Sequence, residues 1–382
     1  MKVMFITGSM EPGRDGVGDY IRRMSGELIH RGISVSVLAL HDRHCQKHIT
    51  VMQQSDGHRF LVMRIPDAWS AVDRYDQAYF WMEEMNPDWV SLQYVPFAFH
   101  IRGFHKGLGK LLSRLGDGRR WHIMLHEMWV GMAKEEPFKL QAWGWVQRFF
   151  IRSLLEKLQP EFIHTNTFLY REYLAQWKFK SVFLPVFSNI PATGAAHLQA
   201  GKPFAIREKR EIIFVVFGSI HRNVPIVPFA EEASVYAKAN NVPVSLVFLG
   251  RCGGEQERWI KAWESAGLPF IVLGELSPAR VSEVLQGCTI GLSSTACAVA
   301  QKSGSFAAML EHGLPVIGVS NPWTPRGAGP QKTPAGMVIY ERGKLSACLL
   351  SIEEHPGYHT VTEVAEVMAT TLFAADELLS YS

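Results

Sequence analysis

The sequence predicts an α/β protein made of two successive doubly wound, Rossmann-like domains. Three observations carry that reading. Short apolar runs of strand type alternate with helical patterns along nearly all of the 382 residues. A stretch rich in proline, glycine and alanine interrupts the alternation near the middle. After it the opening motif starts again: KVMFITGSM (2–10) is an apolar strand followed by glycine and serine, and EIIFVVFGSI (211–220) repeats that logic.

Composition narrows the class. With 47% hydrophobic and 20% charged residues the chain is globular and long enough for two domains. Its 39 basic and 36 acidic residues nearly balance, which disfavours a nucleic-acid partner and requires any basic partner surface to be local. No apolar run reaches the length of a membrane span, and MKVMFITG is cut short by glycine, so no signal peptide is expected. Five scattered cysteines read as reduced thiols of a cytoplasmic protein. HDRHCQKH groups His41, His44, Cys45 and His48, but the spacing matches no zinc pattern, and no metal is expected there.

In chain order, Lys2–Thr7 is the first strand, and Gly8 to Gly13 breaks it. Gly16-Val17-Gly18-Asp19 opens a helix with Tyr20, Ile21, Met24, Leu28 and Ile29 on one face, which ends at Arg31-Gly32. Ser34–Leu40 is the second strand. GVGDYI lacks the third glycine of a dinucleotide fingerprint, and no acidic residue ends the second strand in the expected register, so a nicotinamide or flavin site is disfavoured. Further strands are expected at 60–65, 89–93, 122–125 and 162–165. His126-Glu127 directly follows HIML, at a strand's carboxyl end, where doubly wound folds bind ligands. Between 101 and 122, Arg102, Lys106, Lys110, Arg114, Arg119 and Arg120 alternate with apolar residues. The plain reading is a solvated amphipathic helix. The sharper one is a surface for anionic membrane, reinforced by Trp143, Trp145, Phe149 and Phe150.

Ser188 to Lys209 reads as a linker. Beyond it, the repeated strand leads into a polar turn, His221-Arg222-Asn223, and a helix to Asn241. Strands 244–250, 270–274 and 289–294 follow, separated by helices. Then comes KSGSFAAMLEHGLPVI (302–317). Lys302, Ser303, Gly304 and Ser305 open a helix with Phe306, Met309 and Leu310 facing inward; Gly313 caps it and Leu314–Ile317 forms a buried strand. Amide donors, two hydroxyls and an ammonium at a helix N-terminus suit a phosphate, whereas the plain reading is that Ser303 only caps the helix.

Several of these stretches together resemble the retaining nucleotide-sugar glycosyltransferases of the GT-B fold, family 4 in particular. Gly16-Val17-Gly18-Asp19-Tyr20 with RRMSGELIHRGISVSVLAL resembles that family's N-terminal loop, helix and second strand. MLHE resembles its histidine-bearing strand end, LGELSPARVSEVLQGCTIGLSS (273–294) the approach to its donor site, and GSFAAMLEHGLPVI the helix and strand after it. The resemblance implies two Rossmann-like domains facing each other across a cleft. Residues 1–190 would form the acceptor-side domain, 191–210 the linker, 211–357 the donor-side domain, and 358–382 a C-terminal helix packing back on the first domain. It implies transfer of a hexosyl group, with retention, from a nucleoside diphosphate sugar to an acceptor hydroxyl, in glycan, polysaccharide or glycolipid biosynthesis. Donor binding would fall to Gly16, Gly18, Gly218, Ser219, Arg222, Lys302, Ser303, Gly304 and Ser305. His126 would contact the transferred sugar and Glu127 would orient it or the acceptor. No Asp-x-Asp pair is present, so neither metal nor cofactor is expected beyond the donor substrate. Partners would be the nucleotide sugar, a carbohydrate or lipid-linked acceptor, and anionic membrane on its inner face.

The chain departs from the family at three positions. Two glutamates eight residues apart are replaced by Ala300 and Ala308, with Lys302 and Glu311 the available substitutes. The basic residue after the second domain's first glycine is Ser219, with Arg222 close by. Two alternatives therefore stand beside the transferase: a nucleotide-sugar epimerase, and a non-catalytic protein that binds a nucleotide sugar or a partner.

Overall fold

The computed structural model describes residues 1–192, 210–222, 224–352 and 358–380; most of the expected linker 191–210 and Asn223 lie outside them. The chain divides into two compact units. The first comprises Met1–Pro185, Pro325–Ala328 and Val361–Ser382, the second Val186–Thr324 and Gly329–Thr360.

The first unit is built on an eight-stranded sheet centred on β1 (Lys2–Thr7). On one side of it lie β2 (Ser34–Asp42), β4 (His58–Pro66) and β3 (Ile49–Ser55); on the other lie β5 (Trp89–Tyr94), β6 (Arg120–Leu125), β7 (Phe162–Thr165) and β8 (Val182–Phe183). All neighbours pair in parallel except β3, which pairs antiparallel with β4. Strands β1 and β5 are buried almost end to end, as parallel strands covered on both faces must be. β3 was not expected from the sequence. ITVMQQS has no apolar face and alternates half-buried with exposed positions at the sheet edge, and the Asp56-Gly57 turn, both residues at positive φ, folds it back onto β4.

Helix α1 (Gly16–His30) follows β1, capped by Asp15, whose Oδ1 accepts from the amides of Val17 and Gly18 at 2.9 Å each. The C-terminal helix (Val361–Ser380) belongs to this unit and lies against α1, where an Arg31 guanidinium donates to the Thr362 carbonyl at 2.9 Å. Arg119 and Arg120 leave the expected basic patch. Arg119 pairs with Glu83 at 3.0 Å, and Arg120 is bidentate to Glu161 at 2.8 and 2.7 Å with its guanidinium 4.0 Å from the centre of the Trp89 ring. Lys106, Lys110 and Arg114 remain exposed. Among the described residues no helix is long and apolar enough to cross a membrane.

The second unit carries a fully parallel six-stranded sheet centred on β9 (Ile212–Phe217). β10 (Val244–Leu249) and β11 (Phe270–Gly274) lie on one side, and β12 (Ile290–Ser293), β13 (Val316–Gly318) and β14 (Met337–Ile339) on the other. β13 starts two residues later than expected. Pro315 has no N–H for the ladder, although its carbonyl still accepts from Gly291 at 2.9 Å. Phe214, Phe229, Trp259 and Trp263 pack one face of the sheet, and Val215, Leu249, Phe306 and Met309 the other.

Candidate functional site

Each sheet reverses its strand order beside its central strand, at β1/β5 and at β9/β12. The loops leaving the carboxyl ends of these strands are where a doubly wound unit takes a ligand. The expected donor-binding residues lie on such loops or on the helices behind them, and His126 and Glu127 lie on the loop after β6, the next strand over from β5.

In the first unit His126 follows β6. Its Nε2 lies 2.8 Å from Gln93 Oε1 of β5, and its ring meets Tyr20 of α1 edge-on at 4.9 Å. A carbonyl oxygen only accepts, so Nε2 carries the hydrogen and Nδ1 the lone pair. Burial pushes the imidazole down to about 3, which leaves it neutral at physiological pH. Glu127 stands next to it and is half-buried.

The two glycines of α1 have different roles. A Cβ on Gly18 would come within 2.9 Å of the Ser9 carbonyl, so this glycine lets the helix sit close on the loop after β1. That is a packing role. Gly16, the first residue of the helix, has no atom near its Cβ position among the described residues and is exposed. Asp42 does end β2, but it is fully buried and committed: Arg64 donates to both its oxygens at 2.7 and 3.1 Å, and the Met10 amide at 3.1 Å. It thus has no capacity left for a ribose. The residues of HDRHCQKH diverge, with His41 packed edge-on to Phe99, His48 edge-on to Trp69 and the Cys45 thiol 3.6 Å from the Asp42 carbonyl. Among the described residues no cluster of three or more His, Cys, Asp or Glu suits a metal ion.

In the second unit Gly218 ends β9 at φ +78, a conformation that L side chains rarely adopt. A Cβ there would lie 3.2 Å from Ser305 Oγ, so the loop after β9 and the start of α10 (Gly304–Glu311) face each other directly. Ser219 and Arg222 are exposed on the same loop. The His221 amide donates to Ser294 Oγ beyond β12 at 2.9 Å, and its Nε2 lies 3.4 Å from Thr295 Oγ1, so the two carboxyl-end loops are tied together. Ser303 is the N-cap of α10, its Oγ accepting from the Phe306 amide at 3.3 Å. The amides of Gly304 and Ser305 precede the first intrahelical bond and lie at the positive end of the helix. Lys302 ends a short 3-10 helix (Cys297–Lys302) immediately before them.

Ala300 and Ala308, at the two positions where the resembling family carries glutamates, are both fully buried in the core beside Phe306 and Met309. Glu311 is no substitute at the helix tip. It is the last residue of α10, and its Oε1 lies 3.5 Å from the Ala192 amide.

No protein-family model and no curated protein sequence matches the chain. Solved structures do. Anabaena HepE, in complex with UDP and glucose, aligns at TM-score 0.57 and 12% identity over 100% of both chains. The lipopolysaccharide outer core galactosyltransferase WaaB aligns at 0.56 and 13%, over 98% of this chain and 100% of its own. A putative UDP-N-acetylglucosamine 2-epimerase from Listeria monocytogenes aligns at 0.53 and 10%, over 98% of this chain and 97% of its own. The chain has the GT-B fold. Within this GT-B chain, sequence reasoning missed Gln93, Ser294 and Thr295 and named His221 only as part of a polar turn. Gln93 is hidden in β5, which also carries Ser91 and is otherwise apolar or aromatic. His221 and Ser294 are separated by 73 residues, and only the parallel pairing of β9 with β12 brings them together.

Proposed function

We propose that the chain is a glycosyltransferase that moves a sugar from a nucleoside diphosphate sugar to an acceptor hydroxyl. The observation that carries this is the second unit's turn, where Gly218, Ser305 and the uncommitted amides at the tip of α10 converge beside Lys302. Such a group of donors suits the charge that develops on a leaving diphosphate, the main electrostatic task of the reaction. Arg222 and Ser219 add to it from the facing loop. His126 is assigned to a hydroxyl of the transferred sugar, and Glu127 to its orientation or the acceptor's. Retention of configuration, a hexosyl group and independence of metal complete the reading. Several fold neighbours are described as glycosyltransferases, and HepE was solved with UDP and glucose, which supports the donor class.

The epimerase neighbours favour a second reading on the same fold. A stability screen with UDP-glucose, UDP-N-acetylglucosamine and GDP-mannose tests the donor class, because a ligand at a hundred times its Kd adds about 2.7 kcal/mol. Release of the nucleoside diphosphate only when an acceptor is supplied supports the transferase. Interconversion of the sugar without acceptor supports the epimerase.

A lipid-linked acceptor in polysaccharide or glycolipid synthesis, met at an anionic membrane, is the finer proposal. It is supported by helix α5 (Phe138–Leu158), which exposes Phe138, Trp145 and Phe149 on one face beside a cavity of about 530 Å³ lined by Trp129, Met132, Arg148 and Arg326. Co-sedimentation with vesicles containing anionic lipid, reduced in a Trp145→Ser/Phe149→Ser variant, is expected. Equal recovery of both proteins would sink the idea.

A further inference from the structure

The hydrogen bond from His126 to Gln93 is one end of a longer chain inside the first unit. Gln93 Nε2 donates to Ser91 Oγ at 2.8 Å, Ser91 Oγ lies 2.7 Å from His122 Nδ1, and His122 Nε2 lies 2.8 Å from His164 Nδ1. The chain crosses three neighbouring strands, β5, β6 and β7, and all five side chains are buried. Burial holds the three imidazoles neutral: His126 is pushed down to about 3, His164 to about 4, and His122 well below its ordinary value with His164 and His126 adding to the effect. A neutral imidazole has one N–H and one lone pair, so it passes a hydrogen bond on in one direction only.

That property locks the members together. Gln93 Oε1 accepts from His126, so its amide donates to Ser91. The Ser91 hydroxyl then donates to His122 Nδ1, and His122 Nε2–H donates to His164 Nδ1. His164 Nε2, the blind end, has no hydrogen-bond partner among the described residues. Turning the Gln93 amide over would break its bond to Ser91 as the hydroxyl now stands and put an N–H against His126 Nε2, and His126 would then carry its hydrogen on Nδ1. We infer that Ser91, its hydroxyl held between Gln93 and His122, is a positioning residue that acts through Gln93 to fix the tautomer of His126, so that its Nδ1 presents a lone pair to a hydroxyl of the bound sugar. The inference rests on the proposed sugar contact of His126. The relay itself stands on geometry, with five buried polar side chains each within 2.8 Å of the next.

The test uses the full chain with nitrogen-15-labelled histidine. In the wild type the two ring-nitrogen shifts of His126 are expected to report the Nε2–H tautomer. Ser91→Ala removes one oxygen from the chain and is expected to leave His126 as a mixture of tautomers, while Ser91→Thr, which keeps the hydroxyl, restores the single form. Turnover is read with whichever of UDP-glucose, UDP-N-acetylglucosamine and GDP-mannose binds. It is expected to fall about tenfold in Ser91→Ala and recover in Ser91→Thr, with affinity for the bare nucleoside diphosphate unchanged in both. A wild-type Nδ1–H tautomer overturns the relay, and it is decisive even if Ser91→Ala does not fold. So does a tautomer unmoved in Ser91→Ala. A tautomer that becomes mixed while turnover stays at the wild-type level overturns the sugar contact of His126 instead.

Discussion

His126→Ala separates two roles for one side chain. Removing the imidazole leaves Gln93 Oε1 without its donor at 2.8 Å, and a lost buried hydrogen bond of this kind costs about 1–3 kcal/mol. A sugar contact predicts more than that. Turnover should fall well beyond any loss of stability, while the bare nucleoside diphosphate binds as before; matched losses of turnover and melting temperature would mark the histidine as structural. Its position was legible from the sequence because a histidine directly follows HIML, at a strand's carboxyl end. Its partners were not. His122 and His164 sit inside apolar strand runs, 42 residues apart, and only the β6/β7 register makes them neighbours. The roles of Ala300 and Ala308 were equally hidden, since counting back from GLPVI finds the positions but cannot tell that both face the core.

At the scale of elements, the loop and helix after β1 invite a paired substitution. Gly18→Ala puts a Cβ within 2.9 Å of a backbone carbonyl, and we expect it to destabilise the fold by about 1–3 kcal/mol in a denaturant titration. Gly16→Ala meets nothing and should leave stability nearly unchanged. If the loop approaches the donor as the family resemblance implies, Gly16→Ala will weaken nucleotide-sugar binding without moving the melting temperature. Unchanged binding would remove Gly16 from the site. Strand–loop–helix signals were readable wherever strands are apolar on both faces, as in β1, β5, β9 and β10. The reading failed where that condition fails, at the half-exposed edge strand β3 and at β13, whose start Pro315 delays.

At the scale of the whole molecule, the repeat of KVMFITGSM by EIIFVVFGSI was enough to foresee two doubly wound units, because each repeat founds a central strand with its neighbours on both sides. What it could not foresee is the concentration of buried, neutral histidines in the first unit, which has a consequence for acid stability. Unfolded, each takes up a proton as pH falls through about 6.5. Folded, burial keeps His41 and His126 neutral down to about 3, and His105 and His164 down to about 4. The unfolded state therefore binds more protons across this window. Stability that is intact above pH 6.5 is lost as pH falls toward those values, because each histidine that stays neutral in the fold leaves the unfolded chain to take up the proton. Thermal melts should shift down steadily between pH 6.5 and 4.5, and a flat melting temperature over that range would show that the histidines protonate in the folded chain.

The central claim is that the turn before α10 holds a diphosphate, and calorimetric titration of the purified chain tests it most directly. UDP, GDP and ADP are each compared with their parent nucleosides, on the wild type, Lys302→Ala and Lys302→Arg. A charge-assisted contact to a phosphate oxygen contributes about 1.5–3 kcal/mol, roughly tenfold to a hundredfold in affinity. At least one diphosphate should bind the wild type well ahead of its nucleoside. Lys302→Ala should weaken that binding by about the same factor with the melting temperature nearly unchanged, and Lys302→Arg should recover part of it. Diphosphates that bind no better than nucleosides, or that bind Lys302→Ala as tightly as wild type, would contradict the site proposed here.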